Sequence, residues 1–156
     1  MTEPNIKTAG IKDVKFGAGV KVIAPANLYG CEIGDGAFIG PFVEIQRDVV
    51  IGKRCKVQSH TFICELVTIG DDCFVGHGVM FINDTFNAGG PAGGDKDLWR
   101  STRIGNKVSI GSNATILPVS IADNTVIGAG AVVTKDILKS GIYAGNPARF
   151  IKGIPK

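Results

Sequence analysis

The sequence lacks any apolar run long enough to cross a membrane, and its first ten residues, MTEPNIKTAG, contain no signal-peptide core. We therefore expect a cytoplasmic protein. The four cysteines, Cys31, Cys55, Cys64 and Cys73, show no CxxC spacing, so the sequence indicates neither a zinc site nor a disulfide framework. We expect all four to be unpaired, with Cys55 and Cys73 facing the core as small apolar side chains.

The chain also lacks arginine-rich runs and has no basic segment interleaved with aromatic residues, which argues against nucleic acid as a partner. Its net charge of +3 is unevenly distributed. Residues 1–102 carry 10 Lys and Arg against 12 Asp and Glu, whereas residues 103–156 carry 7 against 2. A basic C-terminal third suggests a polyanionic ligand at that end, and a solvated basic surface is the alternative.

What the sequence has in abundance is glycine, 22 residues, and a strict period of six. A large apolar residue recurs at every sixth position from residue 33 to residue 81, and the series resumes at residue 104 with one five-residue step. The large apolar positions are Ile33, Ile39, Ile45, Ile51, Val57, Ile63, Ile69, Val75, Phe81, Ile104, Ile110, Ile116, Ile121, Ile127 and Val133. A smaller residue follows most of them four places later.

An even period of six keeps both sets on one face of extended chain and excludes a helix or a coiled coil. Large residue, glycine, two polar residues and a small residue form the hexapeptide signature of a parallel β-helix. The fold class is therefore all-β, a parallel β-helix of stacked coils that share one core. We expect one domain, residues 1–156, with residues 144–156 as a C-terminal tail. Asn146 and Pro147 suit the N-cap and first position of a short helix there.

The period breaks once, at a glycine-rich segment, DTFNAGGPAGGDKDLWRST, residues 84–102. A loop of this length is usually functional or disordered, and Trp99 favours a packed, functional arm over a disordered insertion. His77, Asn83 and Asp84 lie next to the point where it leaves the coil.

Five strings carry a resemblance to a known family: VQSHTFICE (57–65), GHGVMFIND (76–84), SIGSNATIL (109–117), VIGAGAVVTKD (126–136) and AGNPARFI (144–151). They resemble the hexapeptide-repeat acyltransferases, and the first two are similar to bacterial N-acetyltransferases that act on nucleotide-linked amino sugars. The resemblance implies a left-handed, three-sided β-helix with 18-residue coils, a homotrimer with sites between subunits, and acetyl-CoA as co-substrate without a metal. It also implies an acceptor amine, at C3 of the sugar, and a role in cell-surface polysaccharide biosynthesis.

On an 18-residue coil, Arg47, Glu65 and Asn83 stack at one corner, where Arg47 and Glu65 are placed to pair. Asn83 is the expected residue for positioning the amine, with Glu65 behind it. His77, and then His60, are the candidate general bases at another corner, and a turn residue with satisfied hydrogen bonds is the alternative for each. We expect Arg47, Asp84 and Trp99 to bind the acceptor.

We expect the cofactor to lie beside the last coils, in keeping with the basic charge there. The residues expected to bind it are Gly111, Ser112, Gly128, Ala129, Lys135 and Arg149. Three other functions stay open: O-acetyl transfer with His77 as base, a zinc carbonic anhydrase of the same fold, and a non-enzymatic β-helix scaffold. The zinc enzyme needs three histidines, and this chain has two.

Overall fold

A computed structural model describes residues 2–155, and the two terminal residues of the predicted domain, Met1 and Lys156, lie outside it. The described chain is built from short strands, most of them two residues long, separated by tight turns. One single-turn 3₁₀ helix, Lys96–Leu98, interrupts them.

The strands, numbered in chain order, are β1 (Ile11–Lys12), β2 (Lys15–Phe16), β3 (Lys21–Val22), β4 (Asn27–Tyr29), β5 (Glu32–Ile33), β6 (Phe38–Ile39), β7 (Glu44–Ile45), β8 (Val50–Ile51), β9 (Lys56–Val57), β10 (Phe62–Ile63), β11 (Val67–Ile69), β12 (Phe74–Val75), β13 (Met80–Phe81), β14 (Thr102–Ile104), β15 (Ser109–Ile110), β16 (Thr115–Ile116), β17 (Ser120–Ile121), β18 (Val126–Ile127), β19 (Val132–Val133), β20 (Ile142–Ala144) and β21 (Arg149–Lys152).

From β1 to β19, every third strand joins the same sheet, which is the topology of a three-sided β-helix. The first sheet has the order β1-β4-β7-β10-β13-β16-β19, and the second has the order β2-β5-β8-β11-β14-β17. The third sheet has the order β3-β6-β9-β12-β15-β18-β20-β21. Neighbouring strands are parallel except β20 and β21. The predicted all-β, left-handed parallel β-helix is confirmed. We name each corner after the sheet that precedes it, so the first-sheet corner joins the first sheet to the second.

The large apolar residues of the six-residue period point inward and form one core along the whole stack. Ile39, Ile45, Val57, Phe81 and Ile116 are each 0% exposed. All four cysteines are free, as predicted, and all four are buried, which was predicted for Cys55 and Cys73. Burial raises the pKa of the Cys31 thiol to about 11 and that of Cys64 to about 12, so both stay protonated near neutral pH.

The coil length is 18 residues only in the middle of the stack. Glu44 pairs with Phe62 at a spacing of 18, whereas Ile11 pairs with Leu28 and Arg103 with Ser120 at a spacing of 17. The missing residue between Ile116 and Ile121 explains the shorter upper coil. Because residues 32–83 lie within the 18-residue part, the stacking predicted for Arg47, Glu65 and Asn83 is unaffected.

The C-terminal segment is a strand, not the start of a helix, so the predicted N-cap role of Asn146 is wrong. Strand β21 pairs antiparallel with β20, and Phe150 packs edge-to-face on Tyr143 with ring centroids 5.5 Å apart. The hairpin gives the last coil hydrogen-bonding partners and a cross-strand aromatic contact, whereas an isolated helix of this length is marginal in water.

Candidate functional site

The first-sheet corner carries the column formed by Arg47, Glu65 and Asn83. Gly30 lies at the base of this column, where a Cβ atom would come 3.1 Å from Cγ of Arg47, so its absence leaves room for the arginine stem. The Asn83 side-chain nitrogen donates to the main-chain oxygen of Glu65 at 3.3 Å. Each coil rises by about 4.8 Å, which places Asn83 about 10 Å above Arg47.

Glu65 pairs with Lys96, not with Arg47, and this corrects the predicted ion pair. Lys96 Nζ lies 2.5 Å from Glu65 Oε2, and the Glu65 side chain is only 14% exposed. Of the ion pairs found within residues 2–155, none joins Glu65 to Arg47. Lys96 also lies over the Trp99 ring, 5.3 Å from its centroid. No pattern in the sequence pointed to Lys96, because the segment that carries it is not periodic.

The chain between Asn83 and Thr102 is a hydrogen-bonded excursion. It ends one residue earlier than predicted, because Thr102 already belongs to β14. At its base, the Arg100 main-chain N–H donates to the Asn83 oxygen at 2.9 Å. Asp84 accepts from the N–H groups of Phe86 at 3.0 Å and Ala92 at 2.7 Å. Both carboxylate oxygens of Asp84 therefore organise the excursion itself, and its contact with an acceptor stays a prediction.

His60 and His77 lie at the third-sheet corner, as predicted, and both are exposed. The imidazole of His60 stacks on Phe42, with ring centroids 4.9 Å apart. The main-chain oxygen of His77 accepts from the Asn113 N–H at 2.8 Å. Within one chain, strand β13 separates His77 from Asn83, so the two side chains cannot meet on the same molecule.

Four of the predicted cofactor residues share that third-sheet corner with His77. Gly111 and Ser112 lie one coil above Gly76 and His77, and Gly128 and Ala129 lie one coil higher. A Cβ on Gly76 would come 2.7 Å from the Ser112 nitrogen, so glycine permits the close stacking of these turns. Lys135 follows β19 and therefore lies at the first-sheet corner, and Arg149 begins β21.

The second-sheet and third-sheet corners differ in one respect that bears on ligand binding. At the second-sheet corner, an Asp or Asn side chain from the coil above accepts a hydrogen bond from the main-chain N–H of the second residue of the turn. The pairs are Ala18 with Asp35, Lys53 with Asp71, Asp71 with Asn106, and Asn106 with Asp123, at 2.8–2.9 Å. At the third-sheet corner, no Asp or Asn side chain of residues 2–155 takes this role. There the equivalent N–H groups have no acceptor among residues 2–155, and they belong to Ser59, His77, Ser112 and Ala129.

Below Arg47, a cavity of about 780 Å³ opens on the N-terminal side of the first-sheet corner. Lys7, Lys12 and Arg47 supply three positive charges to its lining, against one carboxylate from Asp13. Tyr29 also lines it, and burial, followed by the nearby charge of Glu44, raises the pKa of its phenol. The sequence predicted Arg47 here but not Lys7, Lys12 or Tyr29, which belong to the irregular first coils.

Two family models match this chain. "Bacterial transferase hexapeptide (six repeats)" matches residues 30–65, and "Hexapeptide repeat of succinyl-transferase" matches residues 66–80 and 101–135. Together they cover more than half of the chain and leave out most of the excursion. This chain belongs to the bacterial hexapeptide-repeat transferase family.

Among curated relatives, the bifunctional protein GlmU of Acidithiobacillus ferrooxidans is 30% identical over 155 residues. The alignment covers 92% of this chain but 33% of that protein, so this family member spans about a third of the length of the curated relatives it matches.

Two solved structures share the fold. A variant of AntD, an N-acyltransferase from Bacillus cereus in complex with dTDP and coenzyme A, superposes with a TM-score of 0.80 at 22% identity, covering 93% of this chain and 86% of that one. A variant of the Caulobacter crescentus GDP-perosamine N-acetyltransferase, in complex with CoA and GDP-perosamine, gives 0.63 at 20% identity, covering 90% and 56%. Within residues 2–155 of this family member, no helix is long and apolar enough to cross a membrane.

Proposed function

We propose that this chain is an acetyl-CoA-dependent N-acetyltransferase that acts on a nucleotide-linked amino sugar, with C3 as the site of the amine. The observation that carries the proposal is the column at the first-sheet corner. Its lower end opens on a cavity lined by Lys7, Lys12 and Arg47, and its upper end presents the Asn83 amide. Cationic side chains suit a diphosphate, and about 10 Å separates Arg47 from Asn83, which leaves room for one sugar ring.

Asn83 is the residue proposed to position the amine. Its amide nitrogen is already held by Glu65, so its oxygen can accept one hydrogen of the sugar amine and direct the nitrogen lone pair. An amine is nucleophilic once it is unprotonated, so transfer to nitrogen does not require a strong side-chain base. Lys96 and Trp99 are the excursion residues proposed to wall the acceptor site, because Lys96 contacts both Glu65 and the Trp99 ring.

The third-sheet corner is the proposed binding surface for acetyl-CoA. The unpaired N–H groups of His77, Ser112 and Ala129 stack one coil apart and can donate to amide and thioester oxygens of an extended pantetheine arm. Lys135 and Arg149 are both exposed and are proposed to bind CoA phosphates, with Lys135 reaching the cofactor from the first-sheet corner of the neighbouring subunit. In the transfer, the amine nitrogen bonds to the acetyl carbon, the carbon–sulfur bond breaks, and the amine proton leaves with solvent or His77.

These two corners lie on opposite edges of the first sheet, so one chain holds the acceptor half and the cofactor half apart. A homotrimer of parallel β-helices would set the first-sheet corner of one subunit against the third-sheet corner of its neighbour. We therefore propose that the site forms between subunits. Light scattering at micromolar concentration measures the oligomeric state, and a monomer with full activity would contradict an intersubunit site.

The reaction is tested by incubating the full chain with acetyl-CoA and a panel of UDP-, GDP- and dTDP-linked amino sugars, followed by mass spectrometry of the nucleotide sugars. We expect one acetyl group on one acceptor, and free CoA in equal amount. Charge reversal in Lys135→Glu or Arg149→Glu should raise KM for acetyl-CoA and leave acceptor KM nearly unchanged. Losing one charge-assisted contact corresponds to about 1.5–3 kcal/mol.

O-acetyl transfer is the second candidate, favoured by the exposed position of His77 beside the proposed cofactor surface. A hydroxyl acceptor needs a general base, whereas an amine does not. His77→Asn should therefore cost little if the acceptor is an amine, and about a hundredfold or more in kcat if it is a hydroxyl. The panel should include the matching hydroxy sugars so that the two outcomes are compared with the same enzyme preparation.

A further inference from the structure

Two cavities adjoin on the outer face of the first sheet and form one groove, which we call the β4–β7 groove. The cavity below Arg47, of about 780 Å³, and a smaller one of about 250 Å³ share Ala9 and Asn27 in their linings. The groove runs along β4 and β7, from Phe42 near the third-sheet corner to Arg47 at the first-sheet corner. Extended chain rises about 3.3 Å per residue, so these five steps span about 16 Å.

The chemistry of the groove changes along its length. Its far end is apolar, lined by Pro25, Ala26, Val43 and the Phe42 ring, which is 57% exposed. Its near end is cationic, lined by Lys7, Lys12 and Arg47. Between them lies the carboxylate of Glu44. A ligand that matches this order is flat and apolar at one end, carries hydroxyl groups in the middle, and is anionic at the other end.

Glu44 is held in place by its neighbours. Asn27 donates to Oε2 at 3.2 Å, and Gln46 and Tyr29 donate to Oε1 at 3.0 and 3.5 Å. A carboxylate can accept about four hydrogen bonds, and the Tyr29 contact is long, so Glu44 retains accepting capacity. Its negative charge would repel a phosphate placed beside it. It therefore suits a neutral diol and fixes the phosphates at the opposite, cationic end.

We propose that the β4–β7 groove binds the nucleoside diphosphate part of the acceptor and that Glu44 accepts hydrogen bonds from both ribose hydroxyls, so that ribonucleotides are preferred over 2′-deoxyribonucleotides. The base lies at the Phe42 end and the diphosphate at the Arg47 end, from which the sugar reaches up the column to Asn83. This inference rests on the proposed function, because it takes the acceptor to be linked to a nucleotide. It assigns Glu44 as a specificity-determining residue, not a catalytic one.

UDP and dUDP isolate the 2′-hydroxyl, because they differ in that group alone. Isothermal titration of the full chain with each nucleotide, without acetyl-CoA or amino sugar, measures the preference directly. We expect UDP to bind about tenfold more tightly than dUDP, the effect of one hydrogen bond to a charged acceptor. Repeating the pair as GDP and dGDP makes the result independent of the base.

Glu44→Gln keeps the shape of the side chain and should reduce the preference for UDP over dUDP below about threefold. UDP affinity should fall more than dUDP affinity, because UDP is weakened at two hydroxyl contacts and dUDP only at that of the 3′-hydroxyl. The matched control is Glu32→Gln, on the second sheet, where the carboxylate is exposed and pairs with Lys15. This variant should keep the wild-type preference. Melting temperatures of both variants report on folding.

Equal affinity of the wild type for UDP and dUDP and for GDP and dGDP would overturn the inference, and so would an undiminished preference in Glu44→Gln. Failure of both UDP and GDP to bind would overturn it as well. Because binding is measured without transfer, a ribose preference without acetyl transfer would contradict the proposed reaction alone. Acetyl transfer without a ribose preference would contradict only the role of Glu44.

Discussion

The side-chain nitrogen of Asn83 donates to the main-chain oxygen of Glu65, 3.3 Å away on the coil below. This contact fixes the orientation of the amide, with its oxygen facing the corner, because the nitrogen is already hydrogen-bonded within the protein. Within residues 2–155 no donor reaches the amide oxygen. The oxygen is therefore free to accept a hydrogen bond, which makes Asn83 a hydrogen-bond acceptor held in place on an ordered coil.

Replacing Asn83 with alanine should lower kcat by about tenfold to a thousandfold, the range for removing one hydrogen bond that orients the reacting groups. Steady-state kinetics with saturating acetyl-CoA measures the effect. Asn87→Ala is the matched control, since Asn87 is exposed in the same excursion and should leave kcat unchanged. If Asn83→Ala keeps wild-type kcat with a normal circular dichroism spectrum, the amine is positioned elsewhere.

Breaking the ion pair between Lys96 and Glu65 should loosen the excursion. Lys96→Met leaves a carboxylate that is 14% exposed without its partner, which should cost about 1 kcal/mol of local stability, because the lysine itself is half exposed. Limited proteolysis within residues 84–101 should become faster, and acceptor KM should rise more than kcat falls. The double variant with Glu65→Gln should recover part of the proteolytic resistance. Equal cleavage rates in all three proteins would show that the ion pair does not hold the excursion.

The third-sheet corner can be converted to resemble the second-sheet corner. At the second-sheet corner, the Asp123 carboxylate accepts a hydrogen bond from the Asn106 N–H at 2.8 Å. In Ala129→Asp, the new carboxylate would lie in the equivalent position above the Ser112 N–H. The Ser112 donor would then be satisfied within the chain and the added negative charge would repel CoA. We expect Kd for CoA, measured by titration calorimetry, to rise about tenfold or more. Ala122→Asp, at the second-sheet corner, should leave it unchanged.

Close stacking of the turns makes some glycines irreplaceable for steric reasons. A Cβ on Gly34 would lie 2.8 Å from both the carbonyl carbon of Gly52 and the nitrogen of Lys53. These are main-chain atoms that cannot move aside, so Gly34→Ala should cost about 1–3 kcal/mol. At this chain length the melting temperature should fall by several degrees. Gly90→Ala, in the excursion, meets nothing within 4 Å and should leave the melting temperature within a degree or two.

The fold could be predicted from the sequence because each hexad repeats the same steric instruction. Ile45, Ile63 and Phe81 are inward in the structure for the same reason that they are periodic in the sequence. The stacking of Arg47, Glu65 and Asn83 followed from counting along that period. The register between neighbouring coils follows from the number of residues per coil, so adding 18 predicts the stacked residue wherever the coil keeps 18 residues.

Counting residues predicts no contacts in the segments that do not follow the six-residue period. Lys96 reaches Glu65 through a turn built on Asp84 and Asp95, and no spacing rule predicts such side-chain contacts. The C-terminal segment was expected to be helical from Asn146, but the unpaired edge of β20 offers a partner strand that the sequence does not reveal. The unpaired N–H groups at the third-sheet corner were likewise not predicted, because they result from the absence of Asp or Asn at the position stacked directly above each of them.

The excursion enters and leaves at one corner without disturbing the coils around it. Val67 pairs with Thr102, and Phe81 pairs with Ile116, in the same register that an uninterrupted stack would have. The register of the core coils is thus independent of the length and composition of residues 84–101. On the proposed function, the acceptor contacts made by this insert can change while the coils that carry the stability of the chain stay the same.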